Sequence, residues 1–371
     1  MTRTKTISIR VLTLAIAATF AFSPQIAAAK SKAKAQGLWV GGEKYFSEFQ
    51  GNALKQSGMP RANLAFASTV YFAPISIAFD GHENFWAVFS GINDNLPAPA
   101  LELSRGDLAS LKAGKPVKPA VIISRQGNSS VPFVVPESIG FDAAGDLWVI
   151  DGGQKLLELT PSQIKKSGAP TPKISITSAN ATPSKLRFDG SDNLWVAEFQ
   201  LPFNPSNPIQ LWRFSAAERA SSGSANPGLM VDLPDLFFFV DFAFDSSGNL
   251  WIAGPGSHGD ALEMISASNL TGTGEVSPLA AVTITSTAFG ALIGSGSCLG
   301  GIDFDSSGDL WVSVGTNNAD CDGNTATQVV GFTPAQLSTG GNLTPSVTIG
   351  QNKKQTNLFL PGPLRFGAAV Q

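Results

Sequence analysis

The chain has 371 residues, with 38 Gly, 24 Pro, 25 Phe, 7 Trp and 2 Cys, and only 14% of its residues are charged. This much Gly and Pro excludes a long helical bundle, while 43% hydrophobic residues exclude a disordered chain. Two cysteines are too few for a disulfide scaffold. A net charge of −3 provides no general basic field, so we expect no nucleic-acid partner. The composition is typical of an all-β protein with many turns.

The N-terminus has the order of a secretory signal peptide. Three basic residues within the first ten precede an apolar stretch over 11–22, and small residues follow at 27–29. The apolar stretch is shorter than the ~20 residues that span a bilayer; an uncleaved anchor is the alternative. We predict a signal peptide over 1–29, with the A-K-A at 33–35 as second choice for cleavage, then a linker over 30–36. We expect an exported protein, periplasmic or extracellular, with no membrane span after cleavage.

One pattern recurs five times along the rest of the chain. It consists of an alternating strand that ends in Phe-Asp, a short turn, and a strand that begins with Leu-Trp-Val or a close variant. The copies are PISIAFDGHENFWAVF (74–89), PESIGFDAAGDLWVID (136–151), PSKLRFDGSDNLWVAE (183–198), FVDFAFDSSGNLWIAG (239–254) and GGIDFDSSGDLWVSVG (300–315). Their Trp residues are 47 to 62 residues apart. This spacing indicates one four-stranded blade per repeat.

Each repeat continues with a third strand, a Ser/Thr-x-x-polar-Leu segment and a fourth strand. The middle segment has the spacing of a helix capping box, so we predict one helical turn there. The copies are LELSRGDL (101–108), LELTPSQI (157–164), EMISASNL (263–270), GFTPAQL (331–337) and a weaker copy at Ser215 and Glu218.

A sixth repeat is split between the two ends of the chain. GLWVGG (37–42) has a Trp strand without its preceding Phe-Asp strand, and PGPLRFG (361–367) matches PSKLRFD (183–189) nearly position for position. Pairing of the two ends would close a ring and remove exposed sheet edges. We therefore predict an all-β, six-bladed β-propeller over 37–371, with four strands per blade, closed by the C-terminal strand joining the N-terminal blade.

These strands resemble those of six-bladed NHL-type propellers and of the broad group that includes the gluconolactonase/senescence-marker and virginiamycin B lyase families. The carrying motifs are P-x-x-I-x-F-D and G-N/D-L-W-V, and the resemblance covers 37–371. It implies that the first strand of each repeat lies innermost, beside a central channel. It also implies that ligands enter from the face that bears the loops before that strand and after the Trp strand. Such propellers host hydrolysis, lyase chemistry and plain binding.

The repeated Asp and Trp residues favour structural roles. Each Asp begins a tight hairpin, where its side chain can accept hydrogen bonds from the turn backbone. Each Trp lies in an apolar run, as expected for a large group that fills the space between blades. The residues are Asp80, Asp142, Asp189, Asp245 and Asp305, with Trp86, Trp148, Trp195, Trp251 and Trp311.

Charged residues alternate with apolar ones on the predicted inner strands. The ligand-binding candidates are Lys185, Arg187, Asp241, Asp303 and Arg365. One interpretation is a salt-bridged channel lining, with Lys185 paired to Asp241 and Asp303 paired to Arg365. The other is a site for an anionic small molecule that uses the three cations.

Several loop residues are weak candidates for catalysis or metal binding. A lyase-type site would look like a loop His near metal-binding Glu residues, and the nearest approach is His258 with Glu198. A gluconolactonase-type site would look like a Glu, an Asp and Asn residues at inner strand ends. Glu137 and Asp241 match the carboxylates, and no Asn accompanies them. A calcium or magnesium ion held by oxygen ligands is the cofactor these candidates imply.

The loop TNNADCDGNT (316–325) begins like an EF-hand calcium loop. Its twelfth position would be Val329 instead of an acidic residue, so the EF-hand interpretation fails. A looser calcium site through Asp320 and Asp322 is the alternative to a plain polar loop.

The two cysteines of this exported chain are predicted to pair. Cys298 precedes the inner strand of a blade, and Cys321 follows the Trp strand of the same blade. A hairpin brings both residues to one face, so we predict a Cys298–Cys321 disulfide.

The leading functional hypothesis is a non-catalytic, monomeric propeller that binds a small molecule or a protein partner through its loop face and channel mouth. The alternative is a metal-dependent, lactonase-like hydrolase or a lyase centred on Glu137, Glu198, Asp241 and His258.

Overall fold

The repeats form the blades of a ring in the computed structural model. It describes residues 35–42, 45–67, 74–89, 98–124, 132, 134–152, 154–178, 181–200, 209–233, 236, 240–257, 259–289, 299–316, 326–350 and 362–370. Residues Ala35–Gln371 belong to one compact unit. Among the described residues, no helix has the length and apolar character needed to cross a membrane.

Strands account for nearly all of the regular structure. The first fourteen are β1 Gln36–Gly41, β2 Tyr45–Gln50, β3 Leu64–Ala67, β4 Pro74–Phe79, β5 Phe85–Phe89, β6 Ala100–Leu103, β7 Val121–Ile123, β8 Pro136–Phe141, β9 Leu147–Asp151, β10 Lys155–Leu159, β11 Ile174–Thr177, β12 Ala181–Phe188, β13 Leu194–Gln200 and β14 Ile209–Phe214. The others are β15 Gly223–Ser224, β16 Leu229–Leu233, β17 Asp241–Phe244, β18 Leu250–Gly256, β19 Gly259–Ile265, β20 Gly274–Val276, β21 Val282–Thr285, β22 Leu299–Phe304, β23 Leu310–Thr316, β24 Ala326–Phe332, β25 Gly341–Asn342, β26 Val347–Ile349 and β27 Leu364–Ala368.

The strands form six sheets, each an antiparallel meander of four strands. Blade 1 is β4–β7, blade 2 is β8–β11, blade 3 is β12–β14 with β16, blade 4 is β17–β19 with β21, and blade 5 is β22–β24 with β26. Blade 6 combines β1–β3 with β27. The short strands β15, β20 and β25 add in parallel to the outer edges of blades 2, 3 and 4, and each comes from the following blade. The predicted six-bladed β-propeller is confirmed.

Ring closure is the pairing that the split repeat predicts. Strand β27 lies antiparallel to β1, from Gln36 opposite Ala368 to Val40 opposite Leu364. Gly41 N–H then donates to Pro363 O at 2.8 Å. The end of the chain thus supplies the inner strand of the blade in which the described chain begins.

Each hairpin Asp organises its own turn and also holds the Trp of its blade. One carboxylate oxygen accepts backbone N–H groups two and four residues later, as in Asp245 with Ser247 and Asn249 at 2.9 Å. The other accepts from the indole Nε1 of the Trp six residues later, at 2.9 to 3.2 Å in all five complete repeats. The structural interpretation of the Asp residues is confirmed, and the indole bond adds a role that the sequence did not indicate.

The Trp side chains lie between blades, as predicted. The six blade Trp residues are at most 3% exposed and pack with residues of a neighbouring blade. Around them, buried Leu, Ile, Val and Phe side chains form the inter-blade cores. Burial on both faces of each sheet explains why so little of the chain is charged.

The predicted helical turns form in three of the five segments, and no helix follows Thr160 or Ser215. Helix α1 (Arg105–Lys112) and helix α2 (Pro334–Thr339) each begin with a complete capping box, at Ser104 and Thr333. Ser266 makes no such cap. There, Asn249 Oδ1 accepts from Ala267 N–H at 2.9 Å, and a single 3₁₀ turn, Ala267–Leu270, follows. Two further 3₁₀ turns are Gly51–Leu54 and Thr287–Phe289.

Candidate functional site

The site lies where the inner strands begin, at the channel mouth opposite the Asp hairpins. Four inner strands carry an irregularity in register at this end, at Ile75, Glu137, Ser184 and Gly300–Gly301. A β-bulge leaves its extra residue outside the ladder and redirects nearby side chains. Gly301 has no room for a Cβ, because the backbone of Leu364 occupies that space. The strands of blades 5 and 6 can therefore approach closely here.

Arg187 is the centre of a charge network inside the channel. Its Nη2 donates to Asp241 Oδ2 at 3.0 Å, and its Nη1 donates to Asp303 Oδ1 at 3.1 Å. The same guanidinium also donates to the backbone carbonyl of Ile302. Arg187 thus joins blades 3, 4 and 5, and its side chain is only 10% exposed.

Asp241 has its acceptor positions filled by the protein. Its Oδ2 accepts from Arg187, from Arg365 Nη1 at 3.2 Å and from Ile302 N–H at 3.1 Å, and its Oδ1 accepts from Phe242 N–H at 2.9 Å. Burial alone would raise the pKa of Asp241, but the neighbouring cations outweigh it and lower the pKa to about 2. This carboxylate is a fixed counter-ion, with three protein donors on Oδ2 and one on Oδ1.

Lys185 is the cation that this network does not neutralise. Its Nζ donates to the carbonyl of Ile75, across the channel in blade 1, at 3.3 Å. Among the described residues, no carboxylate oxygen lies within 4.0 Å of Nζ. Burial lowers the pKa of Lys185, and Arg365 and Arg187 lower it further, against the opposing charges of Asp241 and Glu137.

A cavity of about 280 Å³ lies at this mouth. Its polar lining side chains are Lys185, Asp241, Arg365 and Ser76. The remainder is apolar or glycine: Gly42, Pro74, Ile75, Val240, Leu299, Gly300, Gly301, Gly362 and Pro363. The lining thus combines a few charged groups with apolar side chains, which is the usual composition of a small-molecule pocket.

The structure brings all five ligand-binding candidates together but pairs them differently from the prediction. Lys185 does not pair with Asp241, and Asp303 pairs with Arg187 instead of Arg365. Arg365 contacts Asp241, and Asp303 Oδ2 accepts from Phe366 N–H at 2.8 Å. The predicted pairs were wrong: Lys185 donates to Ile75 of blade 1, and Arg187 lies next to both carboxylates.

The two glutamates of the catalytic hypothesis lie in different environments. Glu137 occupies a bulge at the mouth, where burial raises its pKa against the opposing charge of Lys185. Glu198 is fully buried, on the face of β13 that also carries Val196, which packs against blade 2. Neither oxygen of Glu198 has a hydrogen-bond partner in the described structure, and burial raises its pKa well above the ordinary value.

The other candidates lie outside the described residues. They are His258, Cys298, Asp320, Cys321 and Asp322. Within the described ranges, no three His, Cys, Asp or Glu side chains converge as metal ligands do.

Sequence reasoning missed the backbone and the small residues of the site. The carbonyl of Ile75 is freed by the bulge and accepts from Lys185. Ser76 and Ser138 accept N–H groups from Ile139 and Leu186 of the next inner strand, at 3.2 and 3.1 Å. Their position four residues before the hairpin Asp was the available signal, since Asp241 occupies the same position and accepts from Ile302.

Comparison with known proteins supports the fold. No family model and no curated protein matches the chain. A Bacteroides caccae protein of unknown function matches at a TM-score of 0.54 and 9% identity, over 90% of this chain and 100% of that one. A gluconolactonase-like structure matches at 0.48 and 13%, over 85% and 92%, and a luciferin-regenerating enzyme at 0.44 and 13%, over 76% of each chain. At these identities the likeness concerns fold, and by fold this chain is a six-bladed β-propeller.

Proposed function

We propose that this protein is an exported binding propeller that holds a small molecule in its channel mouth without transforming it. The observation that carries this proposal is the cavity of about 280 Å³ whose lining combines charged and apolar side chains. Its volume is near the lower end for ligand pockets, which suits a compact ligand. Asp241 already accepts four hydrogen bonds from protein donors and contacts two arginines, which disfavours a cation beside it.

The test is a binding screen with a cavity-blocking variant. Ligand-observed NMR would report binding from a panel of small neutral, anionic and cationic compounds. Val240→Trp places a large side chain at the cavity wall, and we expect it to abolish the binding that the native protein shows. His82→Trp is the matched control, because His82 is exposed in the hairpin at the opposite end of the channel. Thermal melting checks that both variants fold.

Two outcomes would contradict this function. Binding that survives Val240→Trp would place the ligand elsewhere. Turnover of lactones after addition of calcium or magnesium, lost in Glu137→Ala, would replace the binding role with the hydrolase alternative.

Export and the disulfide are part of the same proposal. N-terminal sequencing of the secreted protein should find Lys30 first, and a mature chain that retains Met1 would contradict cleavage. Thiol counting under denaturing, non-reducing conditions should find none, whereas two free thiols would show that Cys298 and Cys321 are not paired.

A further inference from the structure

Lys185 is the cation at the channel mouth that contacts no carboxylate among the described residues. Arg187 and Arg365 form ion pairs with Asp241 and Asp303, whereas Glu137, the third carboxylate at the mouth, lies near Lys185 but beyond ion-pair distance. Arg187 is shared by both carboxylates, and Arg365 contacts Asp241. Lys185 is left with only a neutral carbonyl as partner. Because a buried cation without a contacting carboxylate is costly, the cavity favours an anionic group that contacts Lys185.

Two cationic side chains that line the cavity, Lys185 and Arg365, can donate hydrogen bonds to a bound anion. Lys185 Nζ donates one described hydrogen bond, and an ammonium group has three protons to donate. The described hydrogen bonds of the Arg365 side chain, to Asp241 and Leu364, both come from Nη1. Its Nη2 is left for a bound molecule, and Arg and Lys together suit a carboxylate head.

The uncharged part of the cavity wall is mostly apolar. Pro74, Ile75, Val240, Leu299 and Pro363 line it, and Ser76 is its one polar side chain. A ligand that is polar throughout would lose hydration against this wall without gaining hydrogen bonds. A compact apolar body would instead bury surface there.

We propose that the cavity binds a small monocarboxylate with an apolar body. The carboxylate contacts Lys185 and Arg365, and the body lies against the apolar lining residues, which include Pro74 and Val240. This inference rests on the proposed binding function and names its ligand class. Arg187 is a positioning residue in this site, because its Nη2 contacts Asp241 and its Nη1 contacts Asp303.

The negative charge of Glu137 should weaken anion binding in the cavity, whereas the positive charge of Lys185 should strengthen it. Glu137 lies close enough to Lys185 for each charge to shift the pKa of the other, yet it does not line the cavity. Removing its charge should strengthen anion binding, while removing the charge of Lys185 should weaken it. The two substitutions therefore form a pair with opposite signs.

Isothermal titration with benzoate, benzamide, acetate and inorganic phosphate tests the ligand class on the native protein. We expect benzoate to bind more tightly than acetate, because only benzoate fills the apolar wall, and more tightly than the uncharged benzamide. Benzamide binding as well as benzoate, or phosphate binding best, would overturn the inference. This comparison needs no variant and therefore does not depend on a variant that folds.

Variants then test the residues. Lys185→Met should weaken benzoate binding by about 10- to 100-fold, the usual range for a charge-assisted hydrogen bond. Glu137→Gln should strengthen it. Lys166→Met, at an exposed lysine outside the channel, is the matched control and should leave it unchanged. Equal affinity in Lys185→Met and the native protein would refute the assignment.

The pH dependence gives a separate readout. Benzoate affinity should fall as the pH rises through the lowered pKa of Lys185, and this fall should be absent in Lys185→Met. Asp241, Glu137, Arg187 and Arg365 are the other charged groups facing Lys185.

If only neutral or cationic compounds bind, and Val240→Trp blocks them, the binding function stands and the ligand class is wrong. If no compound binds in a way that Val240→Trp blocks, both are wrong.

Discussion

At the scale of single residues, the blade Trp residues differ in whether the indole nitrogen has a hydrogen-bond partner, and blade 6 is the exception. In blades 1 to 5 each Nε1 donates to the hairpin Asp of its own repeat. In blade 6 the equivalent of that Asp is Gly367, and Trp39 Nε1 is buried without a partner among the described residues. The ring of Phe79 fills the space that a Cβ at Gly367 would need. The N-terminal Trp therefore contributes packing alone.

This difference predicts unequal costs for one chemical change. Trp251→Phe removes both volume and a hydrogen bond to Asp245 of 3.2 Å, whereas Trp39→Phe removes volume and an unsatisfied donor. We expect Trp251→Phe to lower the free energy of unfolding by about 1–2 kcal/mol more than Trp39→Phe. Urea unfolding of the two variants measures the difference. Equal losses would show that the indole bonds do not stabilise the blades.

Two neighbouring cations show how local placement decides a residue's role. Lys185 and Arg187 both face the channel from β12, yet Arg187 is held by two carboxylates and Lys185 by a single carbonyl. A planar guanidinium can contact two carboxylates at once, whereas an ammonium group is a compact point charge. Arg187 therefore supports the channel, and Lys185 is available to a ligand.

At the scale of elements, neighbouring blades also join along their outer edges. Ser57, Ser167 and Ser222 lie between the third and fourth strands of their blades, and each accepts a backbone N–H from the outer strand of the preceding blade at 3.0 Å. In two of these cases the next residue, Gly58 or Gly168, makes a parallel bridge to the same strand. Covering an outer strand in this way removes donors and acceptors that would otherwise pair with another chain.

One buried acid at the interface between blades 2 and 3 has no partner among the described residues. Glu198 lies on the side of β13 that packs with Trp148 and Leu186, and it has no described hydrogen-bond partner. Because burial raises its pKa well above the ordinary value, folding favours the protonated form. The stability this provides is fully present below the unfolded pKa, near 4.5, and is lost as the pH rises through the folded pKa.

Glu198→Gln tests this interface. The variant cannot ionise, so its free energy of unfolding should exceed that of the native protein by an amount that grows with pH, by at most about 1.4 kcal/mol per pH unit. Urea unfolding between pH 4 and pH 9 measures the two curves. Parallel curves would mean that Glu198 is not a buried acid in the folded state.

At the scale of the whole molecule, closure depends on more than strand pairing. Val370 follows β27 and is buried beside Trp39. Its N–H donates to Glu48 Oε1 at 2.9 Å, and its carbonyl accepts from Lys112 Nζ at 2.6 Å and Gln50 Nε2 at 3.1 Å. The chain end therefore joins blades 1 and 6 by apolar packing and three hydrogen bonds.

Two C-terminal truncations separate the contribution of the Val370 contacts from that of the β27 pairing. Removal of residues 369–371 deletes the Val370 contacts and leaves Glu48 buried without them. We expect a loss of about 2–5 kcal/mol from apolar burial and lost hydrogen bonds. Removal of 362–371 also deletes β27, and we expect it to abolish cooperative unfolding. Calorimetry compares the three chains, and an unchanged melting temperature in the shorter truncation would contradict the role of Val370.

Several features of the fold were predictable from local patterns. The hairpin turns need a positive φ, and Gly145, Gly248 and Gly308 provide it as the sequence indicates. In blades 1 and 3, Glu83 and Asp192 adopt a positive φ instead, and each is paired with an arginine. Those partners come from other segments, so no local pattern could identify them.

The sequence by itself determined the number of blades, the closure by the two chain ends and the hairpin at each Phe-Asp. These features repeat with a fixed period, and each depends on residues within one repeat. Only the tertiary structure decided which charges meet in the channel, because Arg187 and Asp303 are 116 positions apart and a bulge changes where each side chain points. The tertiary structure also left Lys185 without a carboxylate partner, at the wall of the cavity.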